Sequence, residues 1–92
     1  MIKSFRCKDT QALFEAGKIR RFSAIKAAAE RKLILLQAAS ELDDLKSPPG
    51  NRLEALNGDR EGQHSIRINR QWRVCFRWTA DGPEDVEIVD DH

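Results

Sequence analysis

A chain of 92 residues and 10.5 kDa leaves room for one domain, since domains begin near ~50 residues and one of this size buries about 60–65% of its unfolded surface. Apolar residues make up 40% of the sequence and charged ones 34%, a balance that excludes disordered and fibrous classes; no apolar run nears the ~18–20 residues of a membrane span, and Met1-Ile2-Lys3 is not expected to open a signal peptide. The net charge of +1 is segregated: residues 1–50 carry +4, residues 51–78 carry +3 with every cation an arginine, and residues 79–92 carry −6.

Residues 1–7 alternate Ile2, Ser4 and Arg6 with Lys3, Phe5 and Cys7, which suits a short opening strand. Asp9 is placed to cap a first helix that runs through Leu13 and Phe14 and stops at Gly17, a residue at ease in the left-handed conformation. After the basic connector Lys18-Ile19-Arg20-Arg21-Phe22, Ser23 is expected to cap a longer helix over about residues 24–39. Its apolar stripe comprises Ile25, Ala28, Ala29, Leu33, Leu36 and Ala39, widened by Ile34 and Leu35. Ser47-Pro48-Pro49-Gly50 then breaks regular structure.

Everything after that break reads as β. A candidate strand at 52–56 leads into the turn-rich stretch 57–62, and His64, Ile66 and Ile68 alternate with Ser65 and Arg67. Trp72, Val74, Phe76 and Trp78 repeat at period two, with Arg73, Cys75 and Arg77 on the opposite face. Asp81-Gly82-Pro83 makes a tight turn before a last strand at 86–89. The order β-α-α-β-β-β implies a two-layer α+β fold, a mostly antiparallel sheet with both helices on one face, as one domain over residues 1–92.

Arg67, Arg73 and Arg77 gather on the sheet face away from those apolar residues. The cluster has two readings: ion pairing with Asp85, Glu87, Asp90 or Asp91, or binding of an anionic partner, for which arginine's fork of donors suits phosphate. His92 follows Asp90-Asp91 and adds an imidazole able to carry protons near neutral pH. His64 opens a strand and reads first as cover for the edge of the core. Cys7 and Cys75 read as reduced cytosolic thiols, and Cys75, with no histidine placed to activate it, as an inert packed one. The two cysteines and two histidines lack the paired spacing of zinc ligands, so neither metal nor cofactor is expected. Arginine, histidine and carboxylate without a metal suit RNA cleavage. RNA brings its own nucleophile, the 2′-hydroxyl, and the protein need only move protons and stabilise charge.

The stretch from Arg52 to Asn69, followed by Gln71-Trp72-Arg73 and Phe76, closely resembles the HigB toxins of the RelE superfamily. Met1-Ile2-Lys3-Ser4-Phe5, Leu45-Lys46-Ser47-Pro48-Pro49-Gly50 and Val86-Glu87-Ile88-Val89-Asp90 match as well. The resemblance implies a RelE-type fold and a cytoplasmic endoribonuclease that cuts messenger RNA in the A site of the 70S ribosome. It also implies neutralisation by a HigA-like helix-turn-helix antitoxin, through which alone operator DNA is reached, and no membrane partner. By the same resemblance Arg73 matches the arginine that stabilises the transition state, and Asp90 and His92 match the ends of the family's C-terminal catalytic cluster. Arg60, His64, Arg67, Asn69, Arg70 and Gln71 are then the residues expected to face RNA and ribosome.

The cluster departs from the family's pattern at Asp91, where tyrosine is common. An aromatic ring stacks on a base for about 1–3 kcal/mol, which a carboxylate does not. Weakened cleavage is therefore expected, relieved by Asp91→Tyr. Glu54 and Asn57 depart too, since some relatives place a histidine and a lysine there. Two other readings stay open: a ParE-like toxin that poisons DNA gyrase, and a catalytically dead module kept for antitoxin binding.

Overall fold

The computed structural model describes residues 1–90, and Asp91 and His92 lie outside the described residues. Helix α1 spans Lys8–Ala16 and ends at Gly17, whose φ of 66° satisfies the left-handed cap and lets its amide reach the carbonyls of Ala12 and Leu13. Asp9 is not the cap. Cys7 occupies that position, and Asp9 sits in the first turn, where a negative charge suits the positive end of the helix dipole, and pairs with Arg21 at 3.4 Å. The second helix starts later than expected, because Arg20–Ile25 winds as a 3-10 segment and α2 covers Lys26–Ala38. Ser23 falls inside that segment; what fixes it is burial of Phe22 and Ile25, the spacing of which suits the tighter three-residue turn.

The α2 stripe packs as its periodicity requires. Ala29, Leu33 and Leu36 are fully buried, and Ile25 and Ala39 nearly so. Ile34, expected to widen the stripe, is 60% exposed. Against the helices lies a sheet of four antiparallel strands in sequence order: β1 Glu54–Ala55, β2 His64–Arg67, β3 Trp72–Thr79 and β4 Gly82–Asp90. Ile66, Val74, Phe76, Val86 and Ile88 close the core with Leu13 and Phe22, while Trp72 and Trp78 cover its rim. Trp72 meets Phe22 edge to face, with ring centroids 5.7 Å apart.

The last strand is longer than the 86–89 expected, since the β3–β4 hairpin turns on Ala80 and Asp81, and Gly82 and Pro83 already belong to the ladder. The register slips by one between Cys75 and Arg77, and Asp85 is the extra residue, held at a φ of 54°. The bulge resets the alternation so that Val86 and Ile88 point into the core while Glu84 and Glu87 share the other face. Residues 1–7 add no full strand. One parallel bridge joins Phe5 to Val86, supported by amide bonds from Lys3 to Pro83, Val86 to Ser4 and Arg6 to Val86 at 2.8, 3.1 and 3.0 Å. Gly82 has no room for a side chain there, because a Cβ would lie 2.6 Å from the Met1 carbonyl oxygen. Among the described residues no helix is long and apolar enough to cross a membrane.

The loop from α2 to the sheet is pinned by Asn51, which is fully buried. Its Nδ2 donates to the carbonyls of Leu45 and Ser47 at 3.1 and 3.2 Å, and its Oδ1 accepts from the Lys32 ammonium. Burial and the neighbouring Arg31 push the Lys32 pKa down. Truncating Asn51 to alanine strands two interior carbonyls. A loss of about 1–3 kcal/mol is expected in urea denaturation, with an unchanged m-value.

Candidate functional site

Asn51 also orients the next residue. Arg52 adopts a left-handed backbone, φ 46°, and its carbonyl oxygen accepts a 3.3 Å hydrogen bond from an Arg73 terminal nitrogen. On the helix-free face of the sheet Arg73 stands directly opposite Arg67 in the β2–β3 ladder. Like charges in that position repel, and two arrangements accommodate them. The Arg67 Nε is drawn to the Asn69 carbonyl at 3.0 Å. Arg73 is drawn the other way: its Nε donates to Ser65 Oγ at 2.9 Å, and a terminal nitrogen lies 3.4 Å from the Glu54 carboxylate. The side chain is only 14% exposed, so these partners hold the guanidinium in one orientation.

Two hollows meet at this residue. One, of about 290 Å³, is lined by Arg52, Arg67, Asn69, Arg70, Arg73 and Glu54, four guanidinium groups against one carboxylate. The other, of about 310 Å³, is lined by Leu56, Arg60, Ser65, Cys75, Val89 and Asp90, again with Arg73 and Glu54. Together they form a groove that is strongly cationic at one end and partly apolar at the other. A phosphate fits the first end by charge and by arginine's donor geometry, and the second offers an apolar floor beside polar groups.

Asp90 reaches the second hollow from the end of β4, and its carboxylate accepts from Gln71 Nε2 at 3.0 Å. The turn that presents Gln71 is tied by Asn69, whose Oδ1 accepts the amides of Gln71 and Trp72 at 2.8 and 2.9 Å. Arg60 is committed to Glu87 at 3.1 Å and to Gln63 Oε1 at 3.1 Å, and Arg77 pairs with Asp85 at 3.6 Å. The two readings of the arginine cluster thus divide along the sheet: Arg60 and Arg77 are internally paired, whereas Arg52, Arg67 and Arg70 line an open hollow.

Of the residues singled out from the sequence, Arg67, Asn69, Arg70 and Arg73 share the first hollow, and Arg60, Arg73 and Asp90 the second. Gln71 braces Asp90 from the rim. His64 is not brought to the groove. It projects to the core side of β2, its ring stacked on Phe76 with centroids 6.3 Å apart. The strand alternation that separates Ser65 and Arg67 from His64 and Ile66 already contains this placement. Asp91 and His92, assigned to the catalytic cluster, lie outside the described residues. Arg52, Glu54 and Ser65 were not among those singled out for the site. Ser65 is the groove-face neighbour of Arg67 in the strand alternation and Glu54 lies in the expected strand at 52–56, whereas Arg52 arrives through a left-handed turn that no local pattern announces.

The two thiols differ. Cys75 is buried beneath the groove. Cys7 caps α1, half-buried; burial raises its pKa, but hydrogen bonds from the Thr10 hydroxyl and amide and the Asp9 amide, together with the Arg21 charge, outweigh it and bring the thiol below its usual value. Iodoacetamide is expected to alkylate Cys7 first, with the rate rising at a lower pH than for free cysteine; peptide mapping of the singly labelled protein checks this.

The sequence profile of a family described as "RelE-like toxin of type II toxin-antitoxin system HigB" matches residues 3–92. The chain is 40% identical over 94 aligned residues to "Toxin HigB-1" of Vibrio cholerae serotype O1, covering all of this chain and 98% of that protein. It is also 34% identical over 82 residues to "Endoribonuclease HigB" of Proteus vulgaris, covering 85% of each.

Proposed function

Because the chain belongs to the HigB-like family, RelE-like toxins of type II toxin–antitoxin systems, whose members are paired with an antitoxin, we propose that it is an endoribonuclease that halts translation by cutting messenger RNA in the ribosomal A site. The observation that carries this reading is the position of Arg73, oriented by Ser65 and the Arg52 carbonyl at the meeting point of the two hollows.

The scissile phosphate sits against Arg73, with Arg52, Arg67 and Arg70 holding the backbone that flanks it. The 2′-hydroxyl of the preceding ribose attacks phosphorus, and the guanidinium of Arg73 stabilises the charge that grows on the pentacoordinate phosphorane. The departing 5′-oxygen must take a proton from an acid, and His92, which matches the end of the family's C-terminal cluster, is the imidazole proposed for that role. A 2′,3′-cyclic phosphate and a 5′-hydroxyl result. The ribosome supplies the splayed conformation of the RNA, so free RNA is cut poorly.

Primer extension on mRNA bound to ribosomes tests the proposal. Cuts within codons that disappear with Arg73→Ala support it. Rapid cutting of naked RNA contradicts the ribosome's part, and intact mRNA with loss of gyrase supercoiling points to the gyrase poison instead. In the same assay Asp91→Tyr is expected to raise cleavage by about 5- to 150-fold, through the ~1–3 kcal/mol of base stacking that a carboxylate does not supply; equal cutting rejects that expectation.

A further inference from the structure

The helix layer, on the other side of the sheet from the groove, holds a hollow of about 430 Å³ between α2 and the loop after it, lined by Arg31, Lys32, Ile34, Leu35 and Pro48. Its floor is apolar, and Ile34 stands beside it 60% exposed. Among the described residues no carboxylate lines it, so its two cations have no counter-charge there. Lys32 instead rests its ammonium on a neutral oxygen, Oδ1 of the buried Asn51, and burial with the nearby Arg31 charge pushes its pKa down. A carboxylate would offer that ammonium a charge-assisted bond, roughly twice as strong as a neutral one. The hollow therefore suits an apolar side chain carried on an acidic stretch of protein. A phosphate backbone would answer the cations but set charge against Ile34 and Leu35.

We propose that the antitoxin docks in this hollow through an apolar side chain flanked by carboxylates, and that docking there switches the groove off through Lys32 and Asn51. The docking rests on membership of the toxin family, and its effect on cleavage rests on the nuclease reading. The path is short. Asn51 holds the carbonyls of Leu45 and Ser47 through Nδ2, and its own amide is bonded to the Pro48 carbonyl at 2.9 Å. The next residue, Arg52, ties its amide to Pro49 at 3.2 Å and gives its carbonyl oxygen to Arg73 at 3.3 Å. A carboxylate that draws Lys32 away leaves the Asn51 oxygen buried and unpaired, which is costly. The 48–52 loop turns to relieve it, and the Arg52 carbonyl leaves Arg73. The ammonium cannot serve both oxygens equally, so the two sites bias one element.

The test uses the full chain and its cognate antitoxin, with calorimetric titration, single-turnover primer extension on programmed ribosomes, and amide exchange followed by NMR. Ile34→Glu sets a carboxylate on the exposed hollow. It is expected to weaken antitoxin binding about 30-fold or more, while melting temperature and cutting without antitoxin stay unchanged. Correspondingly more antitoxin is then needed to silence it. Arg31→Glu is expected to weaken binding about 5- to 10-fold and to flatten its salt dependence. On docking, exchange of the Asn51 and Arg52 amides is expected to rise while the β2–β3 ladder stays protected, which simple covering of α2 would not produce. Binding unaffected by Ile34→Glu overturns the docking site, and unchanged exchange at Asn51 and Arg52 overturns the switch. A dimer of the chain alone that Ile34→Glu dissolves assigns the hollow to a second copy and overturns the proposal. A chain that cuts no ribosome-bound RNA overturns the nuclease reading, while the binding and exchange measurements still decide the hollow.

Discussion

Replacing Arg73 with alanine is expected to lower the rate of RNA cleavage about 10²–10³-fold, the usual consequence of removing one oriented donor from a developing oxyanion. The size of the effect follows from how the side chain is held. Its Nε on Ser65 and one terminal nitrogen shared between the Arg52 carbonyl and Glu54 fix the plane of the guanidinium at the groove. No reorientation is then needed when charge appears on the phosphate. Lysine at the same position keeps the charge but loses the Nε bond and the paired donors, so Arg73→Lys is expected to recover little of the rate. Single-turnover rates at saturating ribosomes separate this loss from weakened binding. A variant that cuts within threefold of the unaltered chain would remove Arg73 from the chemistry.

The second large effect is on stability. Phe76 is fully buried at the centre of β3, opposite the β4 bulge and stacked on His64. Phe76→Ala empties a space that the ladder on either side cannot collapse to fill. The expected loss is about 3–5 kcal/mol, a large part of the ~5–15 kcal/mol that holds a typical domain together. Melting temperature should fall by about 12–40 °C, and equilibrium urea unfolding measures the energy directly. A loss under ~1 kcal/mol would mean that the ring is not packed as described.

The strands that carry these two residues were readable because alternation is a strict consequence of the pleat. Trp72, Val74, Phe76 and Trp78 had to share a face, and Arg73, Cys75 and Arg77 the other. The break at Ser47-Pro48-Pro49-Gly50 and the cap at Gly17 were readable for equally local reasons, a missing amide and a missing Cβ. Ser23 misled because a good capping side chain is a weaker force than burial of Phe22 and Ile25. The bulge at Asp85 left no mark in the hydrophobic pattern. At the site, Arg73 and its neighbours from Arg67 to Arg70 came from strand geometry and likeness to a family, and Glu54 from that likeness as a departure, but its ion pair with Arg73 is made only when β1 pairs with β2. Contacts of that kind are decided by tertiary structure, and a linear reading has no access to them.

The bridge between Phe5 and Val86 bears on how the molecule comes into being. The Asp85 amide donates to Ser4 Oγ across 81 positions of chain, and the Ile88 amide to Thr10 Oγ1 across 78. The segment around Ser4 and Phe5 therefore waits for β4, which is synthesised after it, while α1 and α2 are free to form from near neighbours. One wall of the groove, Val89 and Asp90, belongs to that late strand. The groove is therefore complete only once β4 has paired with β3 and with the segment around Phe5.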